Sequence, residues 1–236
     1  MRPIGFSTGA LAKGDFTRGL DAQRGVAGID AVELSALRDH ELPALVEAIG
    51  TLDLDNFEYV SFHAPSKLAV MDEGAAFDQL LRIPEEWPIV VHPELLRTPS
   101  LWRQLGERLC IENMDDRKTT GRTVPELRIL FDTFPEATFC LDLGHARQID
   151  PTMVSAILML RQFGDRLRQL HVSDVGPRGE HLPLGATARS SFARMVRHIP
   201  HDCPLIIESM IVANAIEREL DAVSAIFDTP LVQATA

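Results

Sequence analysis

Two short stretches hold most of the side chains able to do chemistry. One reads Phe139-Cys140-Leu141-Asp142-Leu143-Gly144-His145; the other reads Leu170-His171-Val172-Ser173-Asp174 and continues through Glu180-His181-Leu182-Pro183-Leu184-Gly185. In both, an apolar run of strand length stops at Asp or His, where a buried strand should break out toward solvent. Carboxylates and imidazoles at such positions are costly unless they are paired or bind a metal. The same ending recurs along the chain at Glu33, His63, His92, Glu112-Asn113 and Glu208. Crowded carboxylates repel each other, and a bound cation removes that cost. The chemistry these residues point to is divalent-metal chemistry.

The elements that must position them form a simple alternation. Strand-like runs cover Ile4 to Ser7, Ala31 to Leu34, Tyr59 to His63, Ile89 to His92, Leu109 to Asn113, Thr138 to Asp142, Leu167 to Ser173 and Leu205 to Glu208. Most restart about 20 to 35 residues after the last, room for a strand, a helix and two short loops. Helix signals fill the gaps. Thr17, with Asp15 close by, is expected to cap a helix through Val26, and Leu42, Leu45, Val46 and Ile49 share one helical face. Thr123-Val124-Pro125-Glu126 reads as an N-cap, a first-turn proline and the acid of a capping box. Pro151 opens a run to Phe163, Ala213 to Phe227 forms the last amphipathic helix, and the short stretch between His92 and Leu109 predicts an abbreviated helix with Trp102 facing inward.

Eight such units without a linker predict one domain over residues 1–236, an α/β chain closed as a single (β/α)8 TIM barrel with short loops. An open doubly wound sheet would want a glycine-rich phosphate turn after its first strand, and Ser7-Thr8-Gly9-Ala10-Leu11 does not fit one. In a barrel the C-terminal strand ends converge on one face. Five of the eight histidines, His63, His92, His145, His171 and His181, lie at those ends or just after them.

Composition narrows the partners. A net charge of −11 and a pI near 5.1 argue against a general nucleic-acid binder, which needs a basic face. Cys110, Cys140 and Cys203 are widely spaced in apolar runs and read as reduced buried thiols. The N-terminus shows no signal-peptide pattern and no apolar run reaches the ~20 residues of a membrane span, so the expected location is cytoplasmic. Lys67, Arg97, Arg117, Lys118, Arg147 and Arg178 fall in loops of the predicted active face and point to an anionic substrate.

The ligand mix is imidazole and carboxylate without thiolate, which suits Zn²⁺, Mn²⁺, Co²⁺ or Fe²⁺. Glu112, Asp142, His171 and Glu208, from four successive strands, would make one complete site. His63, His92, His145 and His181 are then surplus, either touching substrate and supporting the ligands or binding further ions. One ion is expected, and the residues suffice for up to three.

Taken in order, Ile111-Glu112-Asn113, Cys140 to His145, His171 to Asp174, Glu180 to Gly185 and Ile207-Glu208 resemble the xylose isomerase-like TIM-barrel superfamily, which holds sugar and sugar-phosphate isomerases and epimerases and the endonuclease IV-type apurinic endonucleases. The resemblance spans nearly the whole chain. Its isomerase and epimerase branch implies a single ion held by Glu112, Asp142, His171 and Glu208. In that branch Glu112 and Glu208 also move a proton on the two faces of a substrate carbon, through a metal-stabilised enediolate. It implies catalytic or substrate contacts for His145 and Arg178; His63, His92 and His181, as surplus ligand-type residues, and Lys67, as a loop cation, are further substrate-side candidates. The endonuclease branch implies instead that His63, His92, Glu112, Asp142, His145, His171, His181 and Glu208 serve a multinuclear phosphoester hydrolase, but its aspartate two residues before His181 is Gly179 here. A barrel that binds a sugar-like ligand without turnover is the third reading.

Overall fold

The computed structural model describes residues 2–227. Eight parallel strands close into a barrel: β1 (Ile4–Ser7), β2 (Ala31–Ser35), β3 (Tyr59–His63), β4 (Ile89–Val91), β5 (Leu109–Glu112), β6 (Thr138–Asp142), β7 (Leu167–Val172) and, after a small hairpin of β8 (Asp174–Val175) with β9 (His181–Leu182), β10 (Leu205–Ile207). β10 pairs with both β7 and β1, closing the ring. The predicted strands and the closed (β/α)8 architecture are those found. The hairpin is an addition that the sequence did not announce, because two residues a side leave no readable period.

Strand alternation sorts the side chains. Phe6, Val32, Leu34, Phe62, Ile111, Phe139, Leu141, Val172 and Ile207 face outward and join the helices in one apolar cluster. The alternate positions face the barrel axis, where Val90, Cys110 and Cys140 form a small apolar floor of their own. Above that floor the inward positions turn polar on nearly every strand: Ser35, His63, Glu112, Asp142 and His171. Gly5 marks the tightest point of the wall, since a Cβ there would fall 1.6 Å from the Ala31 carbonyl oxygen. Burial pushes Cys110 up to about 12, the property of a protonated, inert thiol.

The outer layer comprises α1 (Thr8–Ala12), α2 (Phe16–Gln23), α3 (Leu42–Ala48), α4 (Glu73–Leu80), α5 (Pro99–Trp102), α6 (Val124–Thr133), α7 (Leu143–Ile149), α8 (Val154–Phe163), α9 (Ala186–Ala193) and α10 (Ile216–Phe227). Several expected ends shift. Asp15, not Thr17, caps α2 by accepting from the Arg18 amide at 3.0 Å. Thr123 caps α6 as expected, but Glu126 reaches back to the Arg122 amide (2.7 Å) instead of closing the box on Thr123. Pro151 sits in a turn, and α8 starts after Met153. The abbreviated helix is α5; Trp102 is fully buried, edge-on to Phe77, with its indole N–H on Glu73 at 2.6 Å. Among the described residues no helix is long and apolar enough to cross a membrane.

Candidate metal centre

The strand ends do converge, and Glu112 is the hub. Its Oε1 lies 3.3 Å from His145 Nδ1 and 3.4 Å from His171 Nδ1; its Oε2 lies 3.2 Å from both His63 Nε2 and His92 Nε2. Glu208 Oε2 faces His171 Nδ1 at 3.3 Å and His181 Nδ1 at 3.5 Å. The four residues singled out from the sequence, Glu112, Asp142, His171 and Glu208, offer ligand atoms that all lie within 4.8 Å of one another. So do two overlapping sets, His63, His92 and Glu112 on one side and Asp142, His145 and His181 on the other.

Local structure sets each of these side chains. Asp142 ends β6 and is also the N-cap of α7, its Oδ1 accepting from the His145 amide at 2.7 Å. The Asp-x-x-His spacing is thus that of an N-cap and the third helical residue, which fixes His145 one turn above Asp142. The sequence predicts a loop for His145; it rides on a helix. Asn113 stitches the ends of β5 and β6 together, accepting from the Asp142 amide (2.7 Å) and donating to its carbonyl (3.0 Å). His63 Nδ1 meets the Ala64 carbonyl at 2.6 Å, which leaves Nε2 for Glu112. The hairpin brings His181 to the mouth, where its Nδ1 pairs with the Ser173 hydroxyl at 2.8 Å.

The electrostatics are those of a site built for positive charge. Burial pushes the Glu112 carboxyl up, yet His171 and His92 beside it hold it well below the usual range. Glu208 is likewise held low against burial by His171 and His181. Burial would lower His63 and His145, but Glu112 with Glu33 lifts His63 to about 9, and Asp142 with Glu112 lifts His145 to about 10. His92 goes the other way, because burial outweighs its single carboxylate partner. Asp142 is raised by burial and by Glu112 and Glu208, and its Oδ2 has no hydrogen-bond partner among the described residues. A fully buried carboxylate with a free oxygen, pointed at imidazoles, fits a divalent cation.

The cluster floors a cavity of about 520 Å³. His63, His92, Glu112, His145, His181 and Glu208 line it, while Asp142 and His171 lie behind them. Of the six basic loop residues, Arg117 and Lys118 reach the cavity. Each is already paired, Arg117 with Asp115 at 2.6 Å and Lys118 with Glu94 at 2.7 Å. Lys67 and Arg178 are exposed and do not line it; Arg178 pairs with Glu180 at 3.4 Å, and Arg147 is bound to Asp174. The substrate contacts expected of Lys67 and Arg178 are therefore not assembled by the fold.

Sequence reasoning passed over Asp115, two residues beyond Asn113, whose Oδ2 lies 3.9 Å from His145 Nε2. It also missed what fills the space at Gly179. There the Arg117 guanidinium, held by Asp115, donates to the carbonyls of Arg178 (2.7 Å) and Gly179 (3.4 Å). A Cβ on residue 179 would sit 1.8 Å from its Cζ, and Gly179 adopts φ +73°. Gly179→Ala is expected to cost about 1–2 kcal/mol from the left-handed backbone alone and to expel Arg117. A thermal melt checks the first effect, and faster proteolysis at the hairpin checks the second.

No known family pattern matches the sequence, and no curated protein does. Solved structures do match in shape. Endonuclease IV from Thermus thermophilus superposes with a TM-score of 0.59 at 19% identity, covering 96% of this chain and 99% of its own. SacUVDE gives 0.56 at 15% identity, covering 97% and 99%. The 3-keto-D-glucoside 4-epimerase from E. coli gives 0.55 at 14% identity, covering 96% and 99%. Those structures share one architecture across different activities, so the likeness carries the fold and the chemistry must be argued from the site. The chain thus has the closed parallel (β/α)8 barrel that these solved structures share.

Proposed function

We infer that the protein is a divalent-metal-dependent isomerase or epimerase acting on a small sugar or sugar-phosphate-like substrate. One observation carries the reading: two carboxylates, Glu112 and Glu208, line a cavity of about 520 Å³ while both face the same imidazole edge, His171 Nδ1. That volume falls in the ordinary range for small-molecule sites. Glu112, Asp142, His171 and Glu208 would hold the ion, which when bound polarises a carbonyl and so acidifies the neighbouring carbon. Glu112 and Glu208, from strands three places apart around the ring, are then the groups that take the proton and return it. His145, which lines the cavity from α7, would donate to a substrate oxygen, and His63, His92 and His181 would form its walls. Arg117 and Lys118 at the rim offer an approach to an anionic group, weakened by the carboxylates they already hold.

A second reading, a multinuclear metal-dependent phosphoester hydrolase, draws on Glu112 Oε2 standing 3.2 Å from two imidazoles, an arrangement able to share the carboxylate between ions. Against three ions stands the cationic guanidinium packed on Gly179, beside the hairpin that carries His181. Elemental analysis of the purified protein separates these readings: one ion per chain supports the isomerase, two or three the hydrolase. Chelator-sensitive turnover of a sugar panel eliminates a binder without catalysis.

A further inference from the structure

Glu33 is a buried carboxylate that neither reading employs. It belongs to β2, in register with Ser61 of β3 and so one inward layer below His63, and it is fully buried. Its Oε2 accepts from Ser61 Oγ at 3.0 Å and Gln169 Nε2 at 2.8 Å, and lies 3.2 Å from His171 Nε2. Burying a carboxylate this deeply, with Oε1 given no hydrogen-bond partner among the described residues, is expensive. Something at Oε2 must justify it.

His171 has two edges. Nδ1 faces Glu208 (3.3 Å) and Glu112 (3.4 Å), while Nε2 faces the barrel floor. A neutral imidazole carries one N–H, and the nitrogen that donates its lone pair to a cation must be bare. For Nδ1 to serve the site, the proton must stay on Nε2, and Glu33 Oε2 is the acceptor within reach there. Gln169 offers no acceptor there: Tyr59 donates its hydroxyl to Gln169 Oε1 at 2.7 Å, so the amide nitrogen stands 2.9 Å from His171 Nε2 and donates to Glu33 Oε2 at 2.8 Å, leaving that carboxylate oxygen to accept from the imidazole. Reversing that amide would set its oxygen 2.8 Å from a carboxylate oxygen.

We propose that Glu33 is a positioning residue of the metal centre, holding the His171 proton on Nε2 so that Nδ1 is presented bare between Glu112 and Glu208. Ser61 and Gln169 keep the Glu33 carboxylate in place, and Tyr59 keeps Gln169. The inference rests on the site being a metal centre, whichever reaction it serves. Glu33 also lies within 4.8 Å of ligand atoms on His63, His171 and Glu208, so direct ligation by Glu33 is the rival to be separated.

Zinc titration of the metal-stripped protein by calorimetry separates them. Glu33→Gln keeps an oxygen able to accept from Nε2–H and should bind zinc within a few-fold of wild type. Glu33→Leu removes it and should weaken binding by about 10–100-fold. Equal losses in both variants would favour direct ligation and overturn the proposal, as would wild-type affinity in Glu33→Leu. Nitrogen-15 spectra of zinc-loaded wild type test it without any variant: His171 must carry its proton on Nε2, and a proton on Nδ1 refutes the assignment. A wild-type protein that bound no zinc, manganese, cobalt or iron would instead sink the metal-centre reading itself.

Discussion

Glu112→Gln should abolish solvent-deuterium exchange into a bound ketose, lowering the rate at least ~10²–10⁴-fold, the usual worth of a placed general base. The expectation comes from its position. One carboxylate faces four imidazoles at 3.2 to 3.4 Å and is almost fully buried, so its charge is the one that makes the cluster tolerable. An amide in its place turns an N–H₂ toward two of those rings and removes a ligand oxygen from two of the donor sets. The variant should therefore also bind metal more weakly, which distinguishes loss of a ligand from loss of the base alone. Glu208→Gln should lose exchange as well, with less damage to the metal-free fold, because Glu208 is only partly buried. Mass spectrometry of the recovered ketose reads both. Exchange at the wild-type rate in either variant would remove that residue from the proton-transfer role.

The second large effect is on stability against pH, and its sign depends on the ion. In metal-free protein His63 and His145 are raised from 6.5 to about 9 and about 10 by the carboxylates around them. A raised imidazole contributes stability that is complete below pH 6.5 and lost as pH climbs through 9 and then 10. Stripped protein should thus melt progressively lower from pH 6.5 to 9. Each pH unit costs at most ~1.4 kcal/mol per group, and each kcal/mol lost lowers Tm by about 2–4 °C in a chain of this size. With zinc added the trend should reverse relative to stripped protein. A cation held by Glu112 and His171 needs His171 neutral and repels a proton on His63 and His145 beside Glu112, so zinc competes with protons and its stabilisation grows over the same window. Paired melts across that range test this directly; curves that stay parallel would mean that zinc does not sit beside these imidazoles.

Much of this architecture is legible in residue order alone. The eight strands can be placed because a barrel wall is buried on both faces, which gives short apolar runs, and because the polar endings break those runs abruptly. Helix ends are less legible: Asp15 and Thr17 carry similar capping signals and packing chooses between them, while Met153, the residue before α8, makes no side-chain cap that residue type could announce. The His145 helix escapes notice because Asp142 does two jobs at once, ending a strand and capping the helix that begins at Leu143.

That carboxylates and imidazoles gather at one mouth is already dictated by the order of residue types, because parallel strands in right-handed β/α units all finish on the same side. How they meet there is set in three dimensions. The stagger between strands puts Glu33 a layer beneath His63 and turns one edge of His171 down to it and the other up to Glu208. The path of the loops leaves Lys67 and Arg178 outside the cavity and lays Arg117 against Gly179. Residue type and period are local properties that a linear chain can display; stagger, ring orientation and loop path arise only when distant strands are forced into register.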